Sequence, residues 1–268
     1  MTGQQRIIIF SDLDGTLLDH ADYSWQAALP ALKKIKEQDI PLVLASSKTA
    51  AEMAPLRAAL GFDHCEAIVE NGAGVLPPHV SYPKAQRSHD ALLAVLTSMP
   101  NALRCGFSGF SDWSADEVSR RTGLDLAASA RAKQRDFSEP GLWSGSDVQL
   151  QQFLLALDAK SLFAQQGGRF LTLSFGASKA DRLREIVSLY ESRWDGPVES
   201  FALGDADNDL AMLEAASRGA IIPNPAHGGI GPMQGEKDGR IIRATMAGPA
   251  GWNESVLSFL ANRVMTKD

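Results

Sequence analysis

Cysteine is scarce: the 268 residues include two, Cys65 and Cys105, far apart in sequence. That excludes a disulfide framework or a cysteine metal knot, and both read as buried apolar side chains. Histidine is sparse as well. His20, His64, His79, His89 and His227 show no ligand spacing, so none is given a metal role. Positive charge is the minority sign, with 26 Lys and Arg against 32 Asp and Glu, a net charge of -6. Nothing supplies a broad cationic face, so nucleic acid and anionic membrane are not expected partners. A phosphorylated small molecule stays open, because a few local cations and a metal can dominate the site of an acidic protein. There is no apolar run of membrane length and no signal-like start, and a cytoplasmic location is the expectation. Internal repeats and low-complexity tracts are also missing.

What is present is an ordinary globular composition, 44% hydrophobic and 22% charged, long enough for one or two domains. Ile7-Ile8-Ile9-Phe10-Ser11 reads as a strand buried on both faces, and it ends in Asp12-Leu13-Asp14-Gly15-Thr16. Two carboxylates one residue apart repel each other at an apolar strand end, a cost that a divalent cation would relieve. A helix is expected over Ser24–Gln38, with Pro30 blurring its start. A second buried strand, Pro41–Ala45, leads to Ser46-Ser47-Lys48-Thr49. Thr49 and Glu52 form a capping box for a helix to Leu60, stopped by Gly61. Ala67-Ile68-Val69 is a third short strand before Glu70-Asn71-Gly72. This alternation predicts an α/β fold with a doubly wound, Rossmann-like parallel sheet.

The pattern changes after Pro77, Pro78 and Pro83. Residues 84–173 read as an inserted smaller α/β domain between core segments 1–83 and 174–268. Helices are expected over 91–99, 115–122, 127–135 and 148–159, with a hairpin of 161–165 and 169–174 turning at Gly167-Gly168. After Gly176, Ser178 and Asp181 form a capping pair that puts Lys179 in the first turn of a helix to Arg193. Ser200–Leu203 is a further strand, ending in Gly204-Asp205-Ala206-Asp207-Asn208-Asp209. Ala220–Ile222 and Ile241-Ile242 are candidate strands, and Asn253 is a candidate cap for a last helix to Val264.

Asp12/Asp14, Ser46/Ser47, Lys179 and Asp205/Asp209 each follow a buried strand or open a helix, and in such a sheet those positions converge on one rim. Several carboxylates suit Mg²⁺, while a hydroxyl and an ammonium can bind phosphoryl oxygens. Asp12 is placed to act as nucleophile, and Asp14 to protonate the leaving oxygen and deprotonate water. Each cluster has a bland counterpart. Ser46 and Ser47 can cap a helix, Lys179 can be a solvated first-turn residue, and 205–209 can be a solvated or calcium loop. That last segment lacks the glycine and terminal glutamate of an EF-hand loop. Arg135 and Arg169 suit a carboxylate such as glycerate or a structural ion pair. Lys48, Glu70 and Asn71 suit sugar hydroxyls or local caps. Trp113, Trp143 and Trp252 read as packing residues.

Taken together, these motifs resemble the haloacid dehalogenase superfamily of phosphotransferases: Asp12-Leu13-Asp14-Gly15-Thr16, Ser46, Lys179, and Gly204-Asp205 with Asn208-Asp209. The resemblance implies Mg²⁺ held by the side chains of Asp12 and Asp205 and the backbone carbonyl of Asp14, aided by Asp209. It also implies a large α/β cap between the second and third motifs. A closer resemblance is to mannosyl-3-phosphoglycerate phosphatases, through Ser46-Ser47-Lys48-Thr49, Glu70-Asn71-Gly72-Ala73, Arg135-Asp136-Phe137-Ser138-Glu139-Pro140, Gly167-Gly168-Arg169-Phe170 and Gly248-Pro249-Ala250-Gly251-Trp252. Asp136 departs from the glutamate of that signature. What the resemblance implies is a phosphorylated sugar-glycerate substrate, with Ser47, Lys48, Glu70, Asn71, Arg135, Arg169 and Asn208 as binding residues. Glucosyl-3-phosphoglycerate, another sugar phosphate, and a catalytically silent sugar-phosphate-binding module are the alternatives.

Overall fold

The computed structural model describes residues 6–80, 88–167, 169–226 and 228–265. Pro83 and the expected boundary beside it, Gly168 of the hairpin, and His227 lie outside the described residues. The strands are β1 (Arg6–Ser11), β2 (Leu42–Ala45), β3 (Ala67–Val69), β4 (Gly74–Leu76), β5 (Phe107–Gly109), β6 (Ser138–Trp143), β7 (Phe163–Gly167), β8 (Phe170–Ser174), β9 (Val198–Gly204), β10 (Arg218–Ile221) and β11 (Ile241–Arg243). By internal packing the chain forms two units. The first comprises Met1–Ser46, His64–Ala67 and Ser178–Asp268, and the second Ser47–Asp63 and Ile68–Ala177.

In the first unit the strands run in the order β11-β10-β9-β1-β2, and every described pairing among them is parallel. Ile8, Ile9 and Phe10 of β1 and Leu42 to Ala45 of β2 are fully buried. Apolar runs without alternation form strands covered on both faces, as these do. From β1 the chain moves outward to β2, whereas β9, β10 and β11 step outward on the other side. The order therefore reverses between β1 and β9, the switch point at which open α/β sheets form a crevice.

The expected helix over Ser24–Gln38 is divided: a 3₁₀ turn at Gln26–Ala28 precedes the helix Leu29–Glu37, which carries Pro30 in its first turn. Asn253 does not cap the last helix. That helix begins earlier and runs Gly248–Met265. The Asn253 Oδ1 instead accepts from the Ala31 amide at 2.9 Å. It thus satisfies a first-turn donor of the helix Leu29–Glu37, a tertiary substitute for the local cap that Ala28 does not provide. Within this unit Phe201 stacks on Phe259, ring centroids 4.2 Å apart.

The second unit holds an antiparallel sheet, β5-β6-β8-β7. Alternation along β8 sorts its faces. Leu171 and Leu173 enter one core with Leu92, Leu96, Phe153 and Leu157, from the helices His89–Ser98 and Asp147–Asp158. Phe170 packs instead with Phe110, Trp113 and Val118, beside the helices Ala115–Thr122 and Leu126–Ala132. The Thr49–Glu52 capping box and the left-handed Gly61 (φ 77°) bound the helix Ala50–Leu60 as expected. No helix among the described residues is long and apolar enough to cross a membrane.

Candidate active site

The register of the central strands assembles the site. Ser11 pairs with Leu44 on one side and with Leu203 on the other. Asp12 lies one residue beyond that row, and Ser46 and Asp205 lie two residues beyond their strand partners, at one carboxyl rim. The Asp12 amide still donates to the Leu203 carbonyl, 2.9 Å. The chain then turns sharply: Thr16 N and Leu18 N both bond back to Leu13 O, and Gly15 N to Leu18 O. Gly15 takes φ 85°, and a Cβ there would collide with the Asn224 amide. Asp14 is half-buried on this turn.

Lys179 arrives from another direction. It is the first residue of the helix Lys179–Trp194, whose Ser178–Asp181 capping box is present. The bonds from Ser178 hold the Asp181 carboxyl below its ordinary pKa. A cation at a helix N-terminus opposes the macrodipole, and Lys179 is only 1% exposed. Two carboxylates offset both costs. Its Nζ donates to Asp12 Oδ1 at 2.6 Å and to Asp209 Oδ1 at 2.7 Å. Burial alone would lower the Lys179 pKa; Asp12 and Asp209 outweigh it, and the net shift is upward.

Asp205 follows β9, and Asp209 ends the 3₁₀ turn Asp207–Asp209. Asp209 Oδ2 accepts from the Asp205 and Ala206 amides at 3.2 and 3.3 Å. A Cβ on Gly204 would strike the Asp209 side chain, so the absence of one permits that approach. Asp12, Asp205 and Asp209 are all buried, and each offers a carboxylate oxygen within 4.8 Å of the others'. Burial is the leading cause that raises the Asp12 pKa. The Asp209, Asp205 and Asp14 charges add to it, and Lys179 opposes it. Burial likewise raises Asp209 against the pull of Lys179. Hard oxygen donors outnumbering a single ammonium suit a small divalent cation.

Three residues support the acids: the sequence reading has Thr16 only as part of the first motif, Trp252 only as a packing residue, and Asn224 not at all. Thr16 Oγ1 donates to Asp205 Oδ1 at 2.7 Å, and Asn224 Nδ2 to Asp205 Oδ2 at 2.8 Å. Trp252, fully buried, donates to Ser11 Oγ at 2.8 Å, and that hydroxyl donates to the Asp12 carbonyl at 2.6 Å. The signal for Asn224 was its place: a polar residue just past a buried strand, on the same rim as Asp12 and Asp205. Asn208 sits half-buried in the turn before Asp209, and Ser46 is buried.

Ser47, Lys48, Glu70, Asn71, Arg135 and Arg169 belong to the second unit. Ser47 is exposed; Lys48 and Asn71 are half-buried. Glu70 is an internal anchor. Its carboxylate accepts from the amides of Asp136 (2.8 Å) and Ser138 (2.8 Å) and from the Ser138 hydroxyl (2.7 Å), and it pairs with Arg135 Nε at 3.2 Å. Contact with a sugar hydroxyl would require that network to open. The anchor offsets local strain, since Glu70 holds φ 52°, a left-handed conformation costing about 1–3 kcal/mol for such a residue. E70A should therefore destabilise the full chain by about 3 kcal/mol in urea unfolding; a loss under about 1 kcal/mol would contradict the anchoring role. Arg135 also donates to Ser138 Oγ at 2.7 Å. Arg169 is exposed and donates to the Arg121 and Thr122 carbonyls at 2.8 and 3.2 Å, complementing the end of the helix Ala115–Thr122.

Residues 9–90 match the family model of haloacid dehalogenase-like hydrolases. The chain has the haloacid dehalogenase-like fold. A haloacid dehalogenase-like hydrolase from Bacteroides thetaiotaomicron superposes with a TM-score of 0.67 at 19% identity, covering 96% of this chain and 100% of that one. A protein from Thermoplasma acidophilum gives 0.65 at 15% identity, covering 96% and 99%. The sucrose-phosphatase of Synechocystis, solved with sucrose and phosphate, gives 0.60 at 15% identity, covering 96% and 98%.

Proposed function

We propose that the chain is a cytoplasmic, Mg²⁺-dependent phosphatase of a phosphorylated sugar-glycerate, mannosyl-3-phosphoglycerate in the first instance. The observation that carries the chemistry is the Lys179 ammonium bridging Asp12 and Asp209 beside Asp205, at the reversal of the sheet. The match to haloacid dehalogenase-like hydrolases and the likeness to a sucrose-phosphatase support it. The side chains of Asp12 and Asp205, the Asp14 carbonyl and Asp209 would hold Mg²⁺, which would supply positive charge against the phosphoryl oxygens.

In this reading an Asp12 carboxylate oxygen attacks phosphorus and the ester bond breaks. Asp14 gives a proton to the departing oxygen, leaving an aspartyl-phosphate on Asp12. Asp14, now a carboxylate, takes a proton from water, and the hydroxide displaces phosphate from Asp12. Lys179 has three N–H donors. Two meet Asp12 and Asp209, and the third is assigned to a phosphoryl oxygen, with the Ser46 hydroxyl as a second donor. Residues 84–173 are proposed as the cap inserted in the core, and Ser47, Lys48, Asn71, Arg135, Arg169 and Asn208 as substrate-binding positions, with Glu70 holding Asp136–Ser138 in place rather than meeting the sugar.

Phosphate release from a panel of esters, with Mg²⁺ and with chelator, tests this. Mannosyl-3-phosphoglycerate should turn over faster than its glucosyl analogue, sucrose phosphate and an aryl phosphate, and chelator should stop all four. Preference for another sugar phosphate would reassign the substrate. Binding without Mg²⁺-dependent release of phosphate would instead favour a silent binding module.

A further inference from the structure

Both oxygens of the Asp205 carboxylate accept from neutral side chains, and the two donors come from different parts of the chain. Thr16 supplies one from the turn after β1. Asn224 supplies the other from the segment after β10. The orientation of the Asn224 amide is fixed: its Oδ1 accepts from the Ala226 amide at 3.0 Å, which turns Nδ2 towards Asp205. Pro223 and Pro225 on either side restrict its backbone. Asn224 is 7% exposed, and its side chain occupies the space that a Gly15 Cβ would need.

We propose that Asn224 is a positioning residue for metal binding: it sets the plane of the Asp205 carboxylate while leaving its charge intact. This rests on the reading of the acids as a Mg²⁺ site. An arginine in the same place would also orient Asp205 but would compete with the cation. A neutral amide whose oxygen is committed to its own turn orients without competing. The Asn224 amide is thus a dedicated donor, and the ligand it serves is a hard divalent cation.

The test is Mg²⁺ titration of the full-length, substrate-free protein by calorimetry. N224L keeps the branched shape in a somewhat larger side chain and removes the donor along with the acceptor of the Ala226 amide, and a neighbouring cavity of about 260 Å³, lined in part by Asn224, Ile222, Ile230 and Arg243, gives room for repacking. N224L should bind Mg²⁺ about 10- to 100-fold more weakly, and T16V, which removes the other donor, should show a loss of the same kind. N224L binding within twofold of wild type would overturn the assignment and leave the metal reading standing. No Mg²⁺ binding by the wild-type protein would overturn both. The wild-type protein gives a readout that needs no variant: the Asn224 side-chain NH₂ resonances should shift as Mg²⁺ saturates, and resonances that stay in place would count against the assignment.

Discussion

Replacing Asp12 with asparagine is expected to reduce phosphate release by at least about 1,000-fold, because the attacking oxygen is lost and nothing adjacent replaces it. The fold should survive. Asp12 is buried among Asp209, Asp205 and Asp14, with Lys179 the one cation bonded to it among the described residues. Its pKa is raised in the folded protein, so its ionisation opposes folding. Metal-free wild type should lose stability as pH climbs from the ordinary carboxylate range, about 4, towards the raised value. D12N lacks that contribution and should melt no lower than wild type at neutral pH in chelator. Turnover within tenfold of wild type would remove Asp12 as nucleophile. A large fall in melting temperature would show that the carboxylate is needed for the fold.

Lys179→Met has the opposite signature. Methionine keeps much of the stem but removes the ammonium, leaving Asp12 and Asp209 buried without their shared partner. Breaking a buried pair from one side costs about 3–5 kcal/mol, so K179M should be both inactive and destabilised. The carboxylates it strands are neutralised by protons, and the penalty should shrink as pH falls towards 5. Mg²⁺ should recover part of the stability at neutral pH, since a cation can take over the neutralising role. Equal denaturation midpoints for K179M and wild type across this range would show that the bridge contributes nothing to folding.

Where chemistry and local geometry coincide, the sequence was readable. The Thr49–Glu52 and Ser178–Asp181 boxes are written in adjacent residues, and both occur. The unbroken apolar runs of β1, β2 and β9 mark strands buried on both faces, and a polar group just past such a strand falls on the rim. That marks Asp12, Ser46 and Asp205 as residues of one sheet rim. Features decided by tertiary contact were harder. β6 contains Pro140 and Gly141, which argue against a strand, yet it pairs with β5 and β8. β4 and β5 have three residues each, too short to show a period. Asn253 looks like a cap because of its residue type, but its acceptor serves a helix far away in sequence. Glu70 shows the same limit. In sequence its carboxylate suits a sugar hydroxyl or a local cap, and only the folded chain brings Asp136 and Ser138 to it.

The way the segment 88–174 is tied at its ends bears on chain entropy. Ser88 and His89 donate to the Asp136 carbonyl, and Ser138 pairs with Ser174. The first and last described residues of the segment 88–174 are thus linked through one three-residue stretch, Asp136–Ser138. A flexible insertion must be closed at a cost that grows with its length, about 0.6 kcal/mol for each doubling. A folded one with its ends pinned together has already met that cost from its own contacts. To the rest of the chain it is a short connector, whatever its contour length. Residues can be added or removed along the edge strand β7 or in the helix Ala115–Thr122 without lengthening the loop that the parallel sheet has to close.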